Sequence, residues 1–318
     1  MPDAADRDHL REALGYEVEA LRIVADQTEV VDGSVDPTVI ELVNNRKGTV
    51  IGARMQVVIG DSIGSGQAKQ VLAAISALTF LACFKVLDVT AEWALDLAQV
   101  KPESRRGYSF DQKAYEIRRS GLRLPLPLRG EKYLEDVASG LYLGLLPFRH
   151  EVVHRHAYGV EDGVLKIADS NSGGRILQMD SHKLGTLARF AIGITQTLTE
   201  GDALSMHMER LMKYYADQLA MIHGRALFDQ KEPLRLTVRL TVPEEEGVFI
   251  ADLARVRYEV QRIHSTRDVL FDLDLLAQRE GTTVLRWQIP YDEVPSSATM
   301  PLTPTTLQQY QCTGEMRR

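Results

Sequence analysis

The hydrophobic period of this chain changes once along its length, and that change limits the folds open to it. Up to about residue 227 apolar side chains return every three or four positions, as at Leu10, Leu14, Val18 and Leu21, the repeat of an amphipathic helix. Beyond Phe228 the period falls to two: Leu234, Leu236, Val238, Leu240 and Val242 alternate with polar or Thr positions, and Val269, Phe271, Leu273 and Leu275 repeat the pattern. The expected class is therefore α+β, a helical part over residues 1–227 followed by a smaller β-rich part over 228–318. A chain of 318 residues is long enough to bury two cores.

Within the helical part the spacing predicts helices over about 8–25, 67–98, 109–119, 131–146, 183–198 and 203–223. Asp36-Pro37 offers a cap followed by proline at the first helical position, which predicts a short helix to about Asn45. Residues 49–59 fit either helix or strand. The helix over 67–98 is apolar on nearly every side and should be central. Its most apolar run, Val71 to Phe84, has 14 residues, short of the roughly 20 that span a bilayer, and reads as buried core. The segment GVLKIADSNSGGRILQM predicts a β-hairpin near 160–179, turning at Ser172-Gly173-Gly174. The prolines of 122–130 make a connector, Glu280-Gly281 makes a turn, and a flexible proline-rich tail is expected from about 295.

Charge narrows the function classes. Lys and Arg number 37 against 44 Asp and Glu, a net charge of −7, so any nucleic-acid contact must be local. Two cysteines, Cys83 and Cys312, cannot build a disulfide scaffold or a cysteine-ligated zinc module. The acidic N-terminus lacks the basic and apolar segments of a signal peptide, so a cytoplasmic protein without a membrane partner is expected. Trp93 and Trp287 read as core, Asp272 and Asp274 as the solvent side of a strand, and Arg118, Arg119, Arg123 and Arg129 as a solvated basic stretch.

Chemistry concentrates in one segment, Arg149-His150-Glu151-Val152-Val153-His154-Arg155-His156, where two motifs overlap. His150, Glu151 and His154 spell His-Glu-x-x-His, in which two imidazoles one helical turn apart share zinc and the glutamate activates water. Arg149 and Arg155 flank that pair and would repel a dication, and no downstream glutamate is marked as third ligand. No cofactor is therefore expected, zinc on His150 and His154 being the alternative. The other motif is Arg-x4-His, Arg149 to His154, with polar His150 after the arginine. Four Arg/His pairs in the chain are separated by four to six residues. Only the Arg149 to His154 spacing reads as a helix start after a long helical segment, with apolar Val152 and Val153 between the partners. Arg175 to His182 straddles strand and loop, and Arg257 to His264 lies in β-like sequence. Elsewhere, Val57 to Gly64 resembles the nucleophile loop of GDSL-type esterases, but no Asp-x-x-His pair follows it downstream.

At Arg149 to His154 the chain resembles the HEPN superfamily, helical domains whose ribonuclease members carry Arg-x4-6-His. The likeness spans about Asp8 to Leu198, and its specific part is that motif. His150 stands where those ribonucleases more often have Asn or Asp. The resemblance implies a HEPN-like helical bundle and a metal-independent endoribonuclease of toxin or defence type. In it the ribose 2′-OH attacks the adjacent phosphorus, His154 moves the proton, Arg149 holds phosphate and His150 assists. It also implies RNA as substrate, a homodimer whose two copies build one composite site, and a cognate inhibitor protein. Five α-helical steps would leave Arg149 and His154 about 140° apart, which a second copy would make good. A helix start would add free amides for phosphate. This chemistry gives Glu151 no step, so Glu151→Gln should be nearly silent. The residues also allow a non-catalytic HEPN-like module binding RNA, nucleotide or protein, and a zinc-dependent peptidase using His150, Glu151 and His154.

Overall fold

A computed structural model describes residues 4–32, 38–44, 50–57, 62–104, 107–124, 132–170, 174–200, 204, 206–225, 228–229, 234–263, 269–289, 294 and 299–312. The chain is mixed α+β and divides into two units, Met1–Gly33 with Ser62–Lys231, and Ser34–Asp61 with Glu232–Arg318. It opens with α1 (Ala4–Asp32), β1 (Thr38–Asn44), β2 (Val50–Val57), α2 (Ser62–Leu97), α3 (Phe110–Ser120) and α4 (Lys132–His150). A π-helical turn (Glu151–Arg155) leads to β3 (Tyr158–Glu161), β4 (Val164–Asp169) and β5 (Arg175–Met179). Then come α5 (Ser181–Glu200), α6 (Met206–Gln218), α7 (Ala220–His223), β6 (Leu234–Pro243) and β7 (Phe249–Ala251). The chain closes with α8 (Leu253–Ile263), β8 (Val269–Arg279), β9 (Thr282–Ile289) and β10 (Met300–Leu302).

In the helical unit α1 buries Leu10, Leu14, Leu21 and Ala25 and packs on α2 and α5. The most enclosed helix is α5, buried at nearly every position from Leu184 to Leu198, and not α2, which leaves Val71 and Leu78 exposed. Thr195, Thr197 and Thr199 can lie inside because each hydroxyl donates to the carbonyl four residues back. As one helix α2 runs well past the apolar stretch, for 36 residues. Its segment Gln67–Leu97 is long and apolar enough to cross a membrane, with 44% of its most apolar window buried. The helix expected over 203–223 is broken near Leu219 into α6 and α7. Gly140 and Gly144 let α7 lie directly on α4: a Cβ there would meet the carbonyl oxygens of His223 and Ile222 at 2.6 and 2.5 Å.

The expected hairpin has a third strand. Its sheet runs β3-β4-β5, all antiparallel. Asp162 and Gly163, both at positive φ, make the tight β3–β4 turn. β4 ends at Asp169 and β5 begins at Arg175; Ser172 and Gly173 of the predicted turn lie outside the described residues.

In the β unit the sheet order is β2-β1-β6-β8-β9, with β1, β6 and β8 parallel and antiparallel strands at both edges. Alternate residues such as Leu42, Leu240, Leu273 and Trp287 join Leu253, Val256 and Val260 of α8 in one apolar core. Glu41, Arg239 and Asp274 share a row across three strands on the other face. Asp274 is buried there, accepting from Arg239 Nε at 3.0 Å and Arg286 Nε at 2.7 Å, so it faces an ion-pair network and not solvent.

Three expectations are corrected in this unit. Residues 38–44 form a strand and not a helix, because the β-branched run Thr38-Val39-Ile40 suits extended backbone and β1 gains a parallel ladder with β6. Residues 34–61 thereby leave the part expected to be helical; Asp36-Pro37 lies outside the described residues. Residues 253–263 are helical and not β-like, since Leu253, Val256 and Val260 return every three and four positions and Asp252 caps the helix by accepting from the Arg255 amide at 2.9 Å. The tail expected to be flexible contains β10, paired antiparallel with β7, where edge-strand geometry tolerates Pro301. Residues 295–298 lie outside the described residues.

Candidate functional site

Pro147 does not start a new turn; α4 continues through it to His150, so Arg149 lies in a last helical turn and not a first one. A proline inside a helix removes one N–H and crowds the carbonyl four residues back, loosening the helix. Directly afterwards the backbone widens into the π turn, which ends at left-handed His156 with φ 51°. The Glu151 carbonyl accepts from the amides of both His156 and Ala157.

Two consequences follow for the expected site. Its phosphate would find carbonyls and not free amides at this helix end. The 140° separation also fails, because a π turn closes from i to i+5 and brings the residue five positions on back toward the first. Arg149 Nη1 stands 3.3 Å from His154 Nε2, and since arginine only donates, that nitrogen faces it as acceptor. The His150 and His154 rings lie 4.7 Å apart between centroids. All three expected residues thus meet on one surface, both histidines exposed and Arg149 half-buried. Val152 is buried beneath them.

Tertiary packing adds residues that no local spacing could reveal. The Arg149 guanidinium lies over the ring of Phe110, the first residue of α3, 4.3 Å from its centroid. Such a contact contributes about 0.5–1 kcal/mol at an exposed site. Lys113 Nζ also sits near that ring, 5.1 Å from the centroid, and pairs with Asp88 at 2.8 Å and Glu92 at 3.1 Å. Tyr142 donates to the same Asp88 at 2.9 Å. Burial first, then Asp88, push the Tyr142 hydroxyl above the usual tyrosine range, while Arg149 opposes the rise. It stays a donor. These groups come from α2, α3 and α4, which is why the sequence does not join them.

Glu151 turns inward. It is fully buried, and its Oε1 accepts from Ser170 Oγ at 2.6 Å, Ser170 N at 3.4 Å and Arg155 Nη1 at 3.1 Å. Arg155 also donates to the Ser170 hydroxyl. Committed to these partners, the carboxylate is not aimed between His150 and His154 as a water-activating base. Among the described residues no three of His, Cys, Asp or Glu are grouped to hold a metal ion.

The remaining motifs are structural or lie outside. Ser62 opens α2, and residues 58–61 of the esterase-like loop are outside the described residues, as are His264 and Arg129. Arg257 is in α8 and donates to the Val294 carbonyl. Trp93 and Trp287 are buried, donating to the carbonyls of Asp6 and Thr306. No family model, curated protein or solved structure matches this chain.

Proposed function

We propose that the chain is a metal-independent endoribonuclease of toxin or defence type, built on a HEPN-like helical bundle, with Arg149, His150 and His154 as its site. One observation carries this reading: Arg149 Nη1 stands 3.3 Å from His154 Nε2 at the surface. Imidazole is the side-chain type that takes and returns a proton near neutral pH, and guanidinium is a permanent cation with a planar fork for phosphate oxygens. Internal phosphoryl transfer needs that combination.

In the proposed reaction His154 takes the proton of a ribose 2′-OH and the oxygen attacks the adjacent phosphorus. Arg149 holds the non-bridging oxygens as charge grows on them. The 5′-oxygen leaves opposite the attack and takes up a proton, so the products end in a cyclic phosphate and a 5′-hydroxyl. In-line displacement puts donor and acceptor of protons on opposite sides of phosphorus. A second copy of the chain supplies the far-side histidine, and His150 assists beside His154. A homodimer acting on RNA in the cytoplasm, restrained by a cognate inhibitor protein, belongs to the same proposal. The zinc peptidase reading loses ground, because its base, Glu151, is buried against Ser170 and Arg155.

His154→Ala and Arg149→Ala should each abolish RNA cleavage while circular dichroism stays as in the wild type, since neither side chain fills core volume; Arg149→Ala should lose only about 0.5–1 kcal/mol, from its contact with Phe110. Unfolded variants, together with a wild type that cleaves no RNA, would make both residues structural and leave the non-catalytic binding module.

A further inference from the structure

Glu151 is a buried carboxylate that the reaction above does not use, and burial of an ionised group is costly unless it is paired. Only one of its oxygens is paired: Oε1 gathers Ser170 and Arg155, whereas Oε2 is buried with no hydrogen-bond partner among the described residues. The backbone carbonyl of the same residue closes the turn onto His156 and Ala157. Glu151 therefore opens the π turn, closes it, and ties it to the end of β4. A π turn is rare and is found frequently at functional sites.

We propose that Glu151 is a positioning residue: its bond to Ser170 holds this turn in the π form, and the π form sets His154 against Arg149. Were the helix to continue as α, those two residues would stand about 140° apart and the pair would open. Arg155, next to His154, is engaged by the same carboxylate. In the ribonuclease reading His154 touches the reacting atoms and Glu151 acts through it. The effect on catalysis rests on that reading, but the geometric role does not.

Ser170 is exposed, so changing it empties no core, which makes it the cleaner probe of the tie. Full-length wild type, Ser170→Ala, Ser170→Thr and Glu151→Gln would be compared by melting, by long-range proton–nitrogen NMR of the histidine rings, and by RNA cleavage against pH. Ser170→Ala is expected to stay folded with the His154 Nε2 resonance displaced. Its cleavage should fall roughly 100-fold, the scale of a misplaced catalytic group, with an altered pH profile. Ser170→Thr keeps the hydroxyl and should restore both, and Glu151→Gln should displace the same resonance. A folded Ser170→Ala with the wild-type His154 resonance overturns the proposal, whether or not Glu151→Gln folds. An unfolded Ser170→Ala overturns it too, because the tie would then serve the fold at large. If wild type cleaves no RNA, the ribonuclease reading falls while the NMR comparison still decides the role of Glu151.

Discussion

Lysine at position 149 would keep the charge and lose both the fork and the flat face that lies over Phe110. Arg149→Lys should therefore fold normally and lose roughly ten- to hundred-fold in cleavage, the equivalent of one charged hydrogen bond of about 1.5–3 kcal/mol. Steady-state kinetics on a short RNA would check it, and an undiminished rate would mean that the site needs charge alone. Arg149, His150 and His154 were legible because their relation is local, set by four or five steps along one backbone. The angle between them was not, since it depends on a π turn that no propensity announces. Phe110 and Ser170 could not be found from spacing, because only tertiary packing brings them to Arg149 and Glu151. Glu151 was legible as a motif letter, but its bonds to Ser170 and Arg155 were not, because motif chemistry counts reacting groups and not the bonds that hold them.

Among the elements, α4 carries Arg149 and His150 of the candidate site, and α7 packs on it through two glycines. Gly144→Ala would place a Cβ 2.5 Å from the Ile222 carbonyl oxygen, a backbone atom that cannot swing away. A loss of about 1–3 kcal/mol, typical of overpacking, is expected in urea unfolding. The same contact holds His223, whose Nε2 lies 2.8 Å from the Ala216 carbonyl while Nδ1 accepts from the Arg225 amide at 3.1 Å. The neutral ring uses both nitrogens. Burial holds its pKa below the ordinary histidine value of 6.5, opposed by the Ala216 bond, aided by Arg225 and opposed again by Asp217. The unfolded chain therefore binds this proton at higher pH than the folded one, so the contribution is complete above the unfolded pKa and is lost as pH falls through the folded value. Melting temperature should drop as pH falls below the ordinary histidine value of 6.5, and the slope should flatten in His223→Asn. An unchanged slope would take His223 out of that dependence. Strongly periodic elements such as α1 and β6 were readable, while β1 and α8 were not. A cap signal outweighed β-branched residues in the first, and short length hid the three-and-four spacing in the second.

For the whole molecule, the β unit is discontinuous, drawing β1 and β2 from between α1 and α2. Removing residues 34–61 would take two strands from the five-stranded sheet and expose the edge of β6. With a short linker in their place, limited proteolysis should find a resistant helical unit and a digested β unit; equal resistance of both would show that β6, β8 and β9 suffice. With a net charge of −7, the RNA contact proposed above would have to rest on a local cluster and not on the surface at large. The central claim is that Arg149 and His154 break RNA through its own 2′-hydroxyl. The most direct test incubates the purified full-length chain with a short RNA, and with the same strand lacking the 2′-hydroxyl at the scissile position, each with and without a strong chelator. Cleavage of the RNA alone, unaffected by chelator and leaving a cyclic phosphate and a 5′-hydroxyl, is the predicted result. Cleavage of both strands, 5′-phosphate ends, or activity that chelation removes would contradict it.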